Sequence, residues 1–289
     1  MTDQLTIGVF GGSGLYQMDG FEDLERVELS TPFGAPSDAF VVGRLGGVRT
    51  VFLPRHGVGH RLLPTEINYR ANVWGMKQLG VSRVVSVSAV GSMREDIVPG
   101  HFVLVDQFLD RTRHRPDTFF GGGVVAHVLF ADPVCAEVRS ALRDAARGVD
   151  VEVHEGGTYL CMEGPQFSTR AESRTYRSWG VDVIGMTNLQ EARLCREAEL
   201  CYATVAMATD YDCWHEAEED VTVDAILEIM HRNVGHAREL VCAVVPALAA
   251  GRGCACQEAL RNAILTDPRA IPAETRDRLG LLLDKYLPT

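Results

Sequence analysis

Four short stretches carry residue types able to bind or polarise a substrate. "FGGSGLY", residues 10–16, ends an apolar run with three glycines and a serine. The N–H groups of such a loop, with one hydroxyl, make a plausible phosphate clamp; a plain tight turn is the alternative. Two stronger nucleotide signatures are not met. A dinucleotide fingerprint needs G-x-G-x-x-G, and position 17 is glutamine; a P-loop needs a lysine, and none follows. "PRHGVGH", residues 54–60, offers Arg55 as a forked donor to an oxyanion, His56 beside it and His60 four residues on. A metal site competes, but neither H-E-x-x-H nor a cysteine pair is present there. "SVSAVGS", residues 86–92, ends a third run in small hydroxyl residues and glycine. "MATDYDCW", residues 207–214, delivers Asp210 and Asp212, which fall on one side if extension continues. Paired carboxylates bind a divalent cation, do acid–base work or cap a turn, and the residues alone leave these open.

The elements that must hold these stretches read as alternating strands and helices. Strands are predicted over 5–10, 39–43, 49–53, 83–90, 102–106, 158–162, 181–186 and 201–208. Several are apolar throughout, as strands covered on both faces are. Helices are predicted over 65–79, with Thr65 as N-cap, over 135–147, and over 188–199, with Asn188 and Glu191 as a capping-box-like start. The strongest spans 222–247, where Val223, Ile226, Leu227, Met230 and Val234 begin one apolar stripe. The fold class expected is α/β: a single-domain mixed central sheet flanked by helices. In such sheets several strand ends meet at one edge, where ligands bind. Residues 1–250 are expected to form that domain. A glycine hinge at 251–253 leads to a C-terminal helical appendage, 251–289, packed on it.

The chain has 289 residues, 46% of them hydrophobic, so one large domain with a sizeable core fits. A formal charge of −11 argues against a basic footprint for nucleic acid or anionic membrane. The apolar stretch near 240–250 is short and contains Pro246, so no transmembrane helix is predicted. No basic-then-apolar leader opens the chain, so no signal peptide is predicted, and a cytoplasmic location is expected. Most of the eight cysteines lie in apolar segments and read as reduced core thiols.

Taken together, the stretches resemble the trimeric purine nucleoside phosphorylases, and within them the methylthioadenosine-cleaving branch. The matching residues are Gly11-Gly12-Ser13-Gly14-Leu15, Thr31-Pro32-Phe33-Gly34-Ala35-Pro36-Ser37, Arg55-His56-Gly57, Asn68-Tyr69-Arg70-Ala71-Asn72, Asp106-Gln107-Phe108-Leu109-Asp110-Arg111-Thr112, Glu163-Gly164-Pro165-Gln166-Phe167, Arg170-Ala171-Glu172-Ser173, Met186-Thr187 and Ala208-Thr209-Asp210-Tyr211-Asp212-Cys213-Trp214. The likeness covers about residues 5–248. It implies phosphorolysis of 5′-methylthioadenosine to adenine and 5-methylthioribose 1-phosphate. It also implies phosphate ligands at Ser13, Arg55, His56, Ser88, Thr187 and the Ala89 N–H. Phe167 is implied beside the base, Met186 under the ribose, and Asp210 and Asp212 at the purine. His60, Val223 and Ile226 match the 5′-methylthio pocket, and His127 a residue contributed by a neighbouring subunit of a homotrimer. Cys254-Ala255-Cys256 matches a C-x-C pair of some thermophilic relatives. A disulfide there would close a small strained ring; two reduced thiols on a loop are the alternative.

Cleaving the N-glycosidic bond makes a cationic sugar and an anionic purine. A fixed phosphate answers the first charge and protonation at N7 the second, with Asp210 the natural donor. Phosphate is then a co-substrate, and neither a metal nor an organic cofactor is implied. Two other readings stay open: a phosphorylase of 6-oxopurine nucleosides or methylthioinosine, and a non-catalytic nucleoside-binding protein on the same fold.

Overall fold

The computed structural model describes residues 5–12, 14, 15, 18–215, 223–249 and 253–287, with backbone alone at 223–227. The strands are β1 (Thr6–Gly11), β2 (Phe21–Val27), β3 (Phe40–Leu45), β4 (Val48–Pro54), β5 (Val81–Ser92), β6 (Phe102–Leu104), β7 (Gln107–Arg111), β8 (Val153–Glu155), β9 (Thr158–Met162), β10 (Val183–Gly185) and β11 (Cys201–Tyr211). The helices are α1 (Tyr69–Gln78), α2 (Ala136–Ala146), α3 (Arg170–Ser178), α4 (Asn188–Glu197), α5 (Val223–Leu248) and α6 (Ala273–Leu283). All eleven strands join one mixed sheet, ordered β2-β3-β4-β1-β5-β10-β9-β7, with β11 on β5 and β6, and β6 on β8. A mixed α/β fold with a large helix-flanked sheet is thus what the chain forms.

β5 is the spine. It runs parallel to β1 along one edge from Val81 to Ser86, then takes up antiparallel β10 at Gly91 and Ser92. Between these two partners, residues 87–90 have no strand neighbour on that edge among the described residues. Along its other edge β5 runs parallel to β11 from Arg83 to Ser92. The carboxyl ends of β1, β4, β5 and β11 therefore point the same way. One register shift interrupts β11, where Ala208 faces Val90 but Asp210 faces Gly91. Thr209 is the extra residue of a β-bulge.

Apolar clusters cover both faces. Val85 and Val87 of β5 and Ala203 and Val205 of β11 meet Val138 and Leu142 of α2 and Ala237 and Leu240 of α5. On the opposite face Val84 and Tyr202 meet Trp74 of α1 and Leu194 of α4, and Leu279, Leu282 and Leu283 of α6 join the same cluster. Full coverage explains why β1, β5 and β11 are dominated by apolar and small residues rather than alternating with polar ones.

One expected helix start moves, and one expected cap does not form. α1 begins at Tyr69 rather than near Thr65, because residues 64–66 form a turn and the Asn68 side chain accepts from the Ala71 N–H. α4 begins where expected, but no capping box forms: Thr187 is the N-cap and makes no side-chain cap bond. Asn188 and Glu191 face inward into a buried polar network instead.

Candidate active site

Strand burial sets up the site. Arg55 follows β4 directly and is only 3% exposed. A buried guanidinium needs a counter-ion, and α4 supplies Glu191: Nε donates to Oε1 at 2.6 Å and Nη2 to Oε2 at 3.1 Å. Nη2 also donates to Ser86 Oγ at 2.6 Å, and Nη1 to the Val87 carbonyl at 2.7 Å. The forked face of Arg55 is thus spent on Glu191, leaving one Nη1 N–H for an anion among the described residues. Burial opposes the arginine's charge, but the Glu191 carboxylate more than offsets it, so its pKa is raised.

Around this pair lies a hydroxyl-rich network. Ser86 Oγ donates to Glu191 Oε2 at 2.6 Å, and Tyr202 Oη to the same oxygen at 3.1 Å. Asn188 is fully buried; its Nδ2 lies 2.9 Å from Ser86 Oγ and 2.6 Å from Thr204 Oγ1. Its Oδ1 accepts from Ser88 Oγ at 2.7 Å and Thr187 Oγ1 at 3.4 Å. Asn188 thereby brings Ser88 and Thr187 together. Thr187 also caps α4, a ten-residue helix whose amino end favours an anion. Ala89 is exposed within the stretch of β5 between its two partners.

His56 stands next to Arg55, half-buried, with Nδ1 2.8 Å from the Leu62 carbonyl. A neutral imidazole donates there from Nδ1 and keeps its Nε2 lone pair. Burial first, then the charge of Arg55, pushes the ring down to about 4, against the opposing pull of the Leu62 carbonyl. His60 stacks on it with centroids 4.3 Å apart and is itself exposed. The glycine loop reaches the same edge: the Arg55 N–H donates to the Gly11 carbonyl at 3.1 Å, and Arg238 of α5 grips the Gly14 carbonyl through Nε at 3.0 Å. Ser13 lies outside the described residues, as do the side chains of Val223 and Ile226 in the first turns of α5.

The carboxylates stand at the other end of this edge. Both lie over Gly91 of β5: a Cβ there would come 3.2 Å from Asp210 Oδ1 and 3.5 Å from the Asp212 Cβ. The Asp212 N–H donates to the Ser92 carbonyl at 3.1 Å, so extension continues and both project to one side, as alternation predicts. Asp210 accepts from Thr209 Oγ1 at 2.7 Å. Asp212 is 8% exposed, and its Oδ2 is buried without a hydrogen-bond partner among the described residues. An ionised carboxylate only accepts, so that oxygen waits for a donor.

Met186 precedes the α4 cap, and its carbonyl accepts from Arg115, a residue the sequence reading missed. Arg115 also donates to Gln190 Oε1 at 3.1 Å and Tyr69 Oη at 3.2 Å, beneath Met186. Phe167, 83% exposed, stands on the loop between β9 and α3. His127 is exposed too, its N–H held by the Ala263 carbonyl at 2.9 Å. Arg115 falls in no motif, Glu191 and Asn188 read only as a helix cap, and Ser86 only as one small hydroxyl residue of a strand end. The available signal was physical: an arginine directly after the apolar stretch Val51–Pro54 demands a buried carboxylate.

Comparison with known proteins places this arrangement. The S-methyl-5′-thioadenosine phosphorylase of Geobacter sulfurreducens is 62% identical over 282 residues, spanning 97% of this chain and 99% of that protein. That of Koribacter versatilis is 56% identical, over 98% and 97%. Among solved structures, a methylthioadenosine phosphorylase from an antarctic soil metagenomic library superposes with a TM-score of 0.93 at 46% identity, covering 97% of this chain and 99% of its own. A mutant of the Schistosoma mansoni adenosine/methylthioadenosine phosphorylase in complex with methylthioadenosine gives 0.82 at 38%, over 89% and 96%. Residues 6–246 match the family described as the phosphorylase superfamily, and to that superfamily the chain belongs.

Proposed function

We propose that the chain is a pentosyltransferase that cleaves S-methyl-5′-thioadenosine with phosphate, giving adenine and 5-methylthioribose 1-phosphate. The observation that carries this is the pair Asp210 and Asp212 over Gly91, with an unpartnered carboxylate oxygen, at the same sheet edge as an anion corner of hydroxyls, arginine and a helix amino end. A purine whose N7 takes up a proton from Asp210 and whose exocyclic amine donates to Asp212 Oδ2 matches this pair.

Phosphate is assigned to Ser13, Arg55, His56, Ser88, Thr187 and the Ala89 N–H. It attacks the sugar carbon, and its charge stabilises the cationic sugar; no enzyme nucleophile is needed. Asp210 gives its proton to N7 as the base departs, and Asp212 takes the N6–H. Phe167 flanks the base, and Met186, braced by Arg115, lies under the ribose. His60, Val223 and Ile226 line the 5′ pocket, and His127 reaches the site of a neighbouring copy in a homotrimer. Support for assembly comes from large apolar side chains left exposed in one chain, Leu129 at 86% and Phe167. A cytoplasmic location belongs to this reading, with Cys161 and Cys195 buried as core thiols. No helix among the described residues is long and apolar enough to cross a membrane.

The test is release of free base from methylthioadenosine, adenosine and inosine, with and without phosphate. Phosphate-dependent adenine release, fastest from methylthioadenosine, is expected. Faster release from inosine, or release independent of phosphate, overturns the reading. A monomeric mass with full activity overturns the trimer.

A further inference from the structure

The C-x-C pair does not stand alone. Cys254 and Cys256 meet Cys135 and Cys201, and the four Sγ atoms all lie within 4.8 Å of one another. Three separate pieces of chain deliver them. Cys135 is the N-cap of α2, Cys201 is the first residue of β11, and Cys254 and Cys256 bracket the start of a 3-10 turn, Ala255–Glu258. The approach is fixed by backbone and side-chain bonds. The Cys135 N–H donates to the Tyr202 carbonyl at 2.8 Å, and the Gly253 N–H to Glu137 Oε1 at 3.0 Å. Arg83, the register partner of Cys201 on β5, binds Glu137 at 3.2 Å and the Leu248 carbonyl at 3.0 Å.

We propose that Cys135, Cys201, Cys254 and Cys256 form a structural zinc site that clasps the segment after α5 to the start of β11. Four thiolates around Zn²⁺ at about 2.3 Å define a tetrahedron with edges of about 3.8 Å. The observed cluster is of that size; the Cys201–Cys254 separation is 3.3 Å, well beyond a disulfide bond of about 2.05 Å. The mutual convergence of all four sulfurs suits one ion better than two bridges, which bring sulfurs together only in pairs. Cys135 and Cys201 are buried, while Cys254 and Cys256 are half-buried, giving an entry path from the surface. Cys135 also places its sulfur at the positive end of α2. Binding balances as Zn²⁺ plus four thiols giving the tetrathiolate complex plus four protons, with no redox step. The site sits at the opposite end of β11 from Asp210, nine residues or about 30 Å away, so its role is in holding the fold.

The experiment uses the full-length chain, expressed with added zinc and purified without chelator. Metal analysis is expected to find about one zinc per chain, released by a mercurial that caps thiols. Cobalt exchange should give a thiolate charge-transfer band and intense tetrahedral visible bands. The double variant Cys254→Ser/Cys256→Ser should lose the zinc and melt on the order of 10 °C lower. Its kcat/KM below melting should stay within about twofold, and Cys213→Ser should change nothing. Should the double variant fail to fold, the wild-type zinc content and cobalt spectrum decide. Zinc below about 0.1 per chain overturns the proposal, whether all eight thiols then titrate or two disulfides account for the cluster. A weak octahedral cobalt spectrum overturns it equally.

Discussion

Glu191→Gln tests the buried pair on which the anion corner stands. The carboxylate accepts four bonds: Arg55 Nε at 2.6 Å, Arg55 Nη2 at 3.1 Å, Ser86 Oγ at 2.6 Å and Tyr202 Oη at 3.1 Å. Glutamine keeps the shape and one acceptor. Its amide turns donor against donor, either toward Arg55 Nε or toward Nη2 and its neighbours, and Arg55 is left charged and buried. Removing one partner of such a pair costs about 3–5 kcal/mol, and the retained oxygen brings this to roughly 2–4 kcal/mol. A chain of this size loses about 2–4 °C of Tm per kcal/mol, so a drop of about 5–15 °C is expected. The same logic sets the control. Arg55→Met/Glu191→Leu replaces the pair by apolar groups of similar bulk and should recover most of that Tm while abolishing turnover. Thermal unfolding of both variants, with phosphate saturation kinetics, is the assay. A Tm within about 2 °C of wild type for Glu191→Gln, or a double variant less stable than the single, refutes the argument.

Asp210→Asn should cut methylthioadenosine cleavage by about 10²–10⁴ and move the preference toward 6-oxopurines by about 5- to 150-fold. An unchanged kcat/KM ratio of methylthioadenosine to methylthioinosine would shift base choice to Asp212. Gly91→Ala puts a methyl 3.2 Å from Asp210 Oδ1 and from Ile184 Cγ2, displacing the carboxylate by tenths of an ångström; kcat should fall about tenfold with Tm nearly kept, and an unaltered kcat contradicts this. His56, held at about 4 against 6.5 when unfolded, adds stability that is full above pH 6.5 and is lost as pH falls toward 4. Partial exposure limits this to about 2 kcal/mol. A ring-proton NMR titration midpoint near 6.5 without phosphate would be the contrary result.

Burial decided what could be read beforehand. β1, β5, β9 and β11 announce themselves because both faces are covered and nearly every position is buried, most of them apolar or small. β2 does not: five of its seven residues are exposed, and this charged edge strand looks like a loop. β7 is equally polar, and β8 has only three residues. α3 shows no long apolar stripe and buries only Ser173 and Tyr176. In the site, residues at strand ends within motifs were legible, namely Arg55, His56, Ser88, Asp210 and Asp212. Asn188, Gln190 and Glu191 were not, since polar residues on a helix look solvent-facing until the partner strand is in place. The cysteine quartet was invisible for a related reason. Its members lie far apart in sequence, and only the fold brings the C-x-C pair onto the starts of α2 and β11.

A strand has two phases, and β11 changes phase once, at Thr209. Up to that point Cys201, Ala203, Val205 and Met207 share the face of α2 and α5, while Tyr202, Ala206 and Ala208 belong to the other. An uninterrupted strand would keep Asp210 and Asp212 in step with Ala206 and Ala208, aimed at apolar packing around Leu189. The supernumerary residue puts them over Gly91, in step with Val85 and Val87. The location of both carboxylates is therefore stored as parity. Drawing Thr209 into register opposite Gly91 would act as a structural frameshift: each pairing from Cys201 to Ala208 could persist, yet both acids would change sides of the sheet. The core would keep its stability while the chemistry lost its address.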